Sequence, residues 1–513
     1  MLAPRTALAI SALVSTFFFG TLFYAYGSPS LPSLRASKPY ISPEKVAYDS
    51  TSPWPWTAPF SSWFHPHAHL PKPPKSKPEQ WNLLYHLGGN GPWVPLIHHA
   101  VPYSSLAPPE SCEATQVHML ARHHERYPTF SAGGNMAGAM QRLAAANATF
   151  SGPLRFLSNY TFFVDDPESQ YEQLTSTGPY AGTLGAFTEG VRFRTRYRGL
   201  LDATEGTTKI WSSQSDRVED TAKYFATGFW GLGWEKDEGG AKLVIISEGE
   251  ERGGDTLTPT NTCVRFNEDA EEGHDLGEHK QLEFEATYDP SIAERLSKFV
   301  HIPKGQKKFS FTPDEIFFMQ GICGFETTVR GTSPFCALFS HSEWLDFEYG
   351  RDVMHFYRSG PGNKYGKAMG MLWLNATAGL LQEGPQAGRL FFSFTHDTSL
   401  AALIAALGVL EDSDLSTKAR NDSRHWRMSQ ALPMGGRLTL ERLECGTDGD
   451  AYVRLNINDG ILALPGCDSG PGASCPLDEF IGYVAQKQNV AGVFGEACGL
   501  SDDMAKGIEF LHQ

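Results

Sequence analysis

The sequence holds no Cys-x-x-Cys pair, no His-Glu-x-x-His motif, no Gly-x-Ser-x-Gly elbow and no Gly-x-x-x-x-Gly-Lys-Ser/Thr loop. These absences exclude the common zinc sites, the serine-hydrolase elbow and the P-loop nucleotide site. The run CDSG at Cys467–Gly470 lacks the glycines that would flank a serine nucleophile. Cationic excess is missing as well: 43 Lys and Arg stand against 58 Asp and Glu, a formal charge of −15. That argues against a nucleic-acid surface and leaves open a small anion held by a local arginine cluster. No internal repeat is present, and 513 residues suffice for one large or two medium domains with a substantial core.

Long apolar runs are scarce, with one exception. From Ala7 to Tyr26 the chain carries no charge, and Arg5 precedes it. The run is longer than the apolar centre of about 7–15 residues in a signal peptide and close to the ~20 of a membrane span. Residues 1–27 are therefore either a cleaved signal peptide or a signal-anchor helix with Arg5 on the cytoplasmic side. Either sends the rest of the chain into the secretory pathway, to the cell exterior or wall or to a membrane tether with the domain outside the cytoplasm. Eight cysteines, an even and scattered set, suit disulfides in an oxidising compartment. Asn147, Asn159, Asn375 and Asn421 begin N-glycosylation tripeptides. Residues 28–79, rich in Pro, Ser and Trp, read as a stalk or linker, and the alternating His65, His67 and His69 within it read as incidental.

The globular part spans 80–513. Short apolar runs at Gln116–Ala121, Lys209–Ser212, Lys242–Ile246 and Leu390–Thr395 read as buried strands. Helical spacing follows the second of them, with Val218, Ala222, Phe225, Ala226 and Phe229 on one face, and TSLAALIAALG follows the fourth. Between about 268 and 384 the pattern turns mostly helical. The fold class expected is α/β, a mainly parallel doubly wound sheet with an inserted, mostly α-helical domain.

In such a sheet, ligands bind beyond the carboxyl ends of the strands. The first strand runs into Arg122 and His123, with Arg126 close behind; the second delivers Arg217; the fourth delivers His396 and Asp397. Singly, each has a dull explanation as a surface charge or a helix cap. Together they suit phosphoryl transfer. Planar guanidinium forks of Arg122, Arg126 and Arg217 match phosphate oxygens and hold their charge without a metal. His123 supplies a neutral nitrogen nucleophile, and Asp397 a proton for the leaving alkoxide and then a base for water. His396 is a further phosphate ligand. A protonated Asp397 implies an acidic optimum.

These residues resemble the histidine acid phosphatase family, whose signature is R-H-G-x-R-x-P followed far downstream by His-Asp. CEATQVHMLARHHERYPT, SSQSDRVEDTAKYF and FTHDT look like the fungal phytase and yeast acid phosphatase branches, and YHLGGNGPW (Tyr85–Trp93) is similar to the phytase-B-like enzymes. The resemblance covers about 80 to the C-terminus and implies a phosphoglycerate-mutase-like fold. It implies a small phosphorylated substrate, organic phosphomonoesters with phytate among the candidates, no cofactor and no nucleic acid; homo-oligomerisation stays open. It also implies disulfides Cys112–Cys445, Cys263–Cys498, Cys323–Cys336 and Cys467–Cys475, which spacing could not choose among roughly one hundred pairings. Two departures stand out. Phytase-A-like enzymes carry a phosphate-binding arginine where Trp211 stands; yeast-type acid phosphatases also lack it, so its absence argues against the phytase-A subgroup more than against activity, and Arg217 is not among the residues that the resemblance carries over. The motif glycine is His124, which could strain the backbone, crowd the site or act as an extra proton carrier. The alternative function is therefore an impaired member that only binds phosphorylated ligands.

Overall fold

The computed structural model describes residues 81–513, apart from 98, 103, 237–239 and 448. The expected signal or anchor at 1–27, the stalk at 28–79 and His65, His67 and His69 lie outside the described residues. Among the described residues, no helix is long and apolar enough to cross a membrane.

The four apolar runs all form strands: β1 (Cys112–Arg122), β2 (Thr208–Ser213), β3 (Ala241–Ile246) and β4 (Leu390–Thr395). They pair in parallel in the order β1-β4-β2-β3. This is the expected α/β sheet. An antiparallel wing that the apolar runs did not reveal extends it: β5 (Arg437–Cys445) lies against β1, β6 (Asp450–Ile457) against β5, and β7 (Gly460–Leu462) and β8 (Cys475–Pro476) against β6. Its polar positions are buried and paired. Glu441, fully inside, accepts from Arg454 at 2.7 Å and from the Tyr197 hydroxyl at 2.7 Å.

Alternation along the strands sends side chains to two cores. Val117, Met119, Ala121, Phe392 and Phe394 meet α2 (Gly182–Arg196) and α3 (Asp216–Trp230) through Phe193, Val218, Phe225 and Phe229. On the other face Leu120, Trp211 and Phe391 join the large core with Leu400, Leu403 and Ile404. Between β3 and β4 the chain is mostly helical, including α4 (Leu276–Glu285), α5 (Asp289–Ser297), α6 (Pro313–Arg330), α7 (His341–Arg358) and α8 (Gly366–Glu383). α6 and α7 each open on a capping box, Thr312 with Glu315 and Ser340 with Glu343, which satisfies the first-turn amides. Helix α1 (Phe130–Ala145) precedes α2, α9 (Asp397–Leu407) starts where β4 ends, and α10 (Leu477–Ala491) follows the wing.

Register places the site. Arg122 pairs with Thr395, so the residues just past β1 and β4 emerge side by side. Helices α2 and α3 cross where Gly190 faces the Phe225 carbonyl and Gly228 the Phe187 carbonyl, and a Cβ at either would collide with backbone. Gly228→Ala is expected to lower unfolding free energy by about 1–3 kcal/mol, as overpacking does. Gly379→Ala, in α8 with open space around it, should raise it by about 0.5–1 kcal/mol. Urea denaturation of both variants checks the pair of signs.

Candidate active site

At the end of β1 the backbone is pinned on both sides. The Arg122 amide donates to the Gly436 carbonyl at 2.7 Å, the His123 amide to Thr395 at 3.0 Å, and the Gly435 amide to His123 at 2.8 Å. Only 1 % of Arg122 is exposed. Its guanidinium donates to the Gly89 carbonyl at 3.1 Å, to the Leu432 carbonyl at 2.7 Å and to Asp397 at 2.8 Å. One side chain thus joins an N-terminal loop, the approach to the wing and the start of α9.

His123 is equally buried. Its Nδ1 lies 2.9 Å from the His124 carbonyl, so Nδ1 carries the proton and Nε2 the lone pair. Burial, then the charges of Arg122, Arg126 and Arg217, hold its pKa well below the usual 6.5. The ring is neutral even in acid. The arginines repel one another: burial, Arg217 and Arg122 push Arg126 down to about 9. Arg126 donates to the Tyr127 carbonyl at 2.8 Å, and Arg217, in the first turn of α3, reaches Glu172 at 3.3 Å. Among the described residues, the Nε atoms of Arg122, Arg126 and Arg217 are buried without hydrogen-bond partners. Three crowded guanidiniums with unused donors make an anion site.

Asp397 opens α9, with His396 as its N-cap. Burial would raise the carboxyl, but the charge of Arg122, paired with it at 2.8 Å, and that of Arg358 hold it well below the usual range. These surroundings favour the ionised carboxylate, against the expectation of an Asp397 protonated in acid. The His396 ring lies 5.9 Å from that of His123, and its Nε2 donates to Glu248 at 2.8 Å. Burial opposes ionisation of Glu248, yet the bond from His396 keeps its pKa lowered.

The structure therefore gathers all six residues singled out by the sequence. It adds Glu248, just past β3, and Arg351, His355 and Arg358 on one face of α7. Arg351 donates to the Gly88 carbonyl at 3.3 Å and to His355 at 3.0 Å. Gly88 has φ +57, and a Cβ there would overlap the Arg351 stem, so glycine is required twice over. The i, i+4, i+7 spacing of Arg351, His355 and Arg358 was the available signal, since it puts three basic groups on one helix face.

His124 resolves differently from either structural expectation. Its φ is not positive, so the backbone is unstrained. Its ring does not crowd the anion site but is buried between Glu125 (Nδ1, 3.1 Å) and Glu189 of α2 (Nε2, 2.6 Å). Burial disfavours its charge, but the two carboxylates outweigh it and raise its pKa to about 9. Space for the ring comes from Gly185 and Gly435, where a Cβ would stand 2.6 and 2.5 Å from it. Trp211 is core: it is fully buried and stacked on Phe391 at 6.1 Å. Four disulfides close, with the pairing that the resemblance implies.

Known proteins match this arrangement. The histidine phosphatase superfamily (branch 2) profile matches residues 113–458. A Candida albicans phytase, PHO112, is 35% identical over 444 residues, 85% of this chain and 91% of that protein. Acid phosphatase PHO1 of Komagataella pastoris is 34% identical over 448 residues, 85% of this chain and 90% of its own. The crystal structure of the phytase from D. castellii superposes with a TM-score of 0.76 at 30% identity, covering 86% of this chain and 92% of that one. The strand-end arginines, the buried histidine and this likeness over most of the length lead to one assignment: the chain belongs to branch 2 of the histidine phosphatase superfamily, among the fungal acid phosphatases and phytases, and is a phosphoric monoester hydrolase.

Proposed function

We propose that this chain is a metal-independent acid phosphatase that hydrolyses organic phosphomonoesters, phytate among them, through a phosphohistidine on His123. The observation that carries the reading is the fixed tautomer of His123, whose Nε2 lone pair sits amid three guanidiniums. Arg122, Arg126 and Arg217, with His396, hold the phosphoryl oxygens. Nε2 attacks phosphorus as the ester P–O bond breaks, and Asp397 delivers a proton to the departing oxygen. Water then attacks phosphorus, Asp397 takes its proton, and the N–P bond breaks to release inorganic phosphate.

Asp397 is ionised in the free enzyme, so its proton must arrive with the substrate. A phosphomonoester monoanion, dominant below a second pKa of about 6, carries that proton into the site. Glu248, accepting from Nε2, orients His396. Arg351 and Arg358 place positive charge near Asp397, on the side where the alcohol departs, which supports multiply phosphorylated substrates. Both phytases and an acid phosphatase stand among the relatives. Four disulfides support a site of action outside the cytosol, and exposed Asn147, Asn159, Asn375 and Asn421 are the proposed glycan sites. The impaired reading rested on His124, and the placement of that ring in an ion pair behind the site no longer favours it.

Four measurements test this reading. His123→Ala should lower p-nitrophenyl phosphate turnover by about 10³-fold or more, with EDTA present throughout. An alkali-quenched phosphoenzyme, stable in base and lost in acid, should form on the native chain and not on the variant. Asp397→Asn should slow an alkyl phosphate by about 10²–10⁴-fold and p-nitrophenyl phosphate far less, since a good leaving group needs no proton. kcat/KM should fall as pH rises above about 6, following the second ionisation of each substrate. It should persist well below pH 6.5, because His123 stays unprotonated there.

A further inference from the structure

The His123 ring is oriented by one carbonyl, that of residue 124. Where the family motif has glycine, the residue-124 amide could still donate to Thr221, but no side chain at 124 would hold the peptide. Here a side chain grips it. The His124 ring joins Glu125 on its own loop to Glu189 on α2, and its amide donates to Thr221 Oγ1 on α3 at 3.0 Å. Each grip is anchored in turn. Glu125 Oε1 accepts from the Trp93 amide at 2.8 Å, and Glu189 Oε1 lies 3.5 Å from Arg437 Nε on β5. The Glu125 carbonyl accepts from the Thr175 amide at 2.9 Å, so both ends of the 124–125 segment are tied.

We propose that the His124 side chain, gripped by Glu125 and Glu189, is a positioning group that fixes the carbonyl on which the His123 nucleophile is oriented. This rests on the phosphohistidine reading above. Rotation of the 124–125 peptide would release Nδ1, let the proton move to Nε2 and remove the lone pair that attacks. An ion-paired imidazolium cannot follow such a rotation without leaving two buried carboxylates unpaired. Glycine offers no such restraint and leaves Glu125 and Glu189 facing each other. The groups around His124 are Glu125, Glu189 and, through Glu189, Arg437, with the neutral Thr221. Its pKa is raised from 6.5 to about 9, so the paired, charged form is fully present below about pH 6.5 and is lost as pH rises through about 9. Throughout the acid range the grip stays closed.

The test compares the native chain with His124→Gly, His124→Gln, Glu189→Gln and Glu189→Ala. For each, kcat and KM on p-nitrophenyl phosphate, the thermal midpoint and the imidazole ¹⁵N signals of His123 are measured, the latter assigned by their loss in His123→Ala. His124→Gly and Glu189→Ala should lower kcat by about 10- to 100-fold with KM within about twofold, the scale of a misplaced nucleophile. Their His123 signals should show mixed tautomers where the native chain shows Nδ1–H alone. Glu189→Gln, which still accepts from Nε2, should keep most of the activity. The native thermal midpoint should decline between pH 6.5 and 9, and His124→Gln should lack that portion of the decline.

A folded His124→Gly or His124→Gln with native kcat and an intact Nδ1–H tautomer overturns the proposal, as does loss of activity that only tracks the thermal midpoint with the tautomer unchanged. A native chain without turnover on any phosphomonoester overturns the phosphatase reading instead, and the tautomer measurement still decides the positioning role.

Discussion

A guanidinium that is almost completely buried is costly unless its charge and donors are met, and Arg122 sets that demand at the end of β1. The carbonyls of Gly89 and Leu432 and the carboxylate of Asp397 meet it, and each comes from a different part of the chain. The same charge holds Asp397 ionised and, with Arg126 and Arg217, keeps His123 neutral. One electrostatic requirement thus shapes the loop before β1, the entry to β5, the first turn of α9 and the protonation states that the chemistry uses. In the proposed reaction the phosphoryl group enters among three guanidiniums, two of which already face a carboxylate, Arg122 that of Asp397 and Arg217 that of Glu172. Binding is therefore coupled to a change in the proton affinity of Asp397, which is a reason to look for the acid dependence in the substrate as much as in the enzyme.

The half of the sheet that carries the site was legible because β1, β2 and β4 are buried on both faces and, like the half-exposed edge strand β3, read as short apolar runs. Strands of that kind end where ligands bind, so Arg122, His123, Arg217, His396 and Asp397 could be picked out as strand-end residues. The antiparallel wing was not legible, because β5 and β6 carry Arg437, Glu441 and Arg454 inside the fold. Buried charges that neutralise one another, such as Glu441 with Arg454, look like surface in a sequence. Glu248 was missed for a similar reason, as one acid among several in SEGEER. Arg351, His355 and Arg358 sit on a helix whose pattern reads as ordinary amphipathicity, and only the tertiary placement of α7 turns them toward Asp397.

His124 shows how far a local motif departure can mislead. Read against the motif, a histidine for glycine implied strain or obstruction. In the fold, the imidazole leaves the anion site and enters a space that exists because Gly185 and Gly435 lack side chains. Two glycines elsewhere admit the one side chain gained, and two carboxylates give it partners. The fit of the ring thus depends on four other residues, Glu125, Glu189, Gly185 and Gly435, three of which lie outside the motif.

The bond from Arg122 to the Leu432 carbonyl spans 310 residues of chain. A ribosome that has made β1 has still to make most of the protein before Leu432, Gly435 and Gly436 can lie beside it. Until then Arg122 has no settled place and His123 lacks the backbone that frames it. The site is accordingly incomplete through most of synthesis, and it closes only when the wing docks. Topology alone thus places completion of the site among the last events of folding.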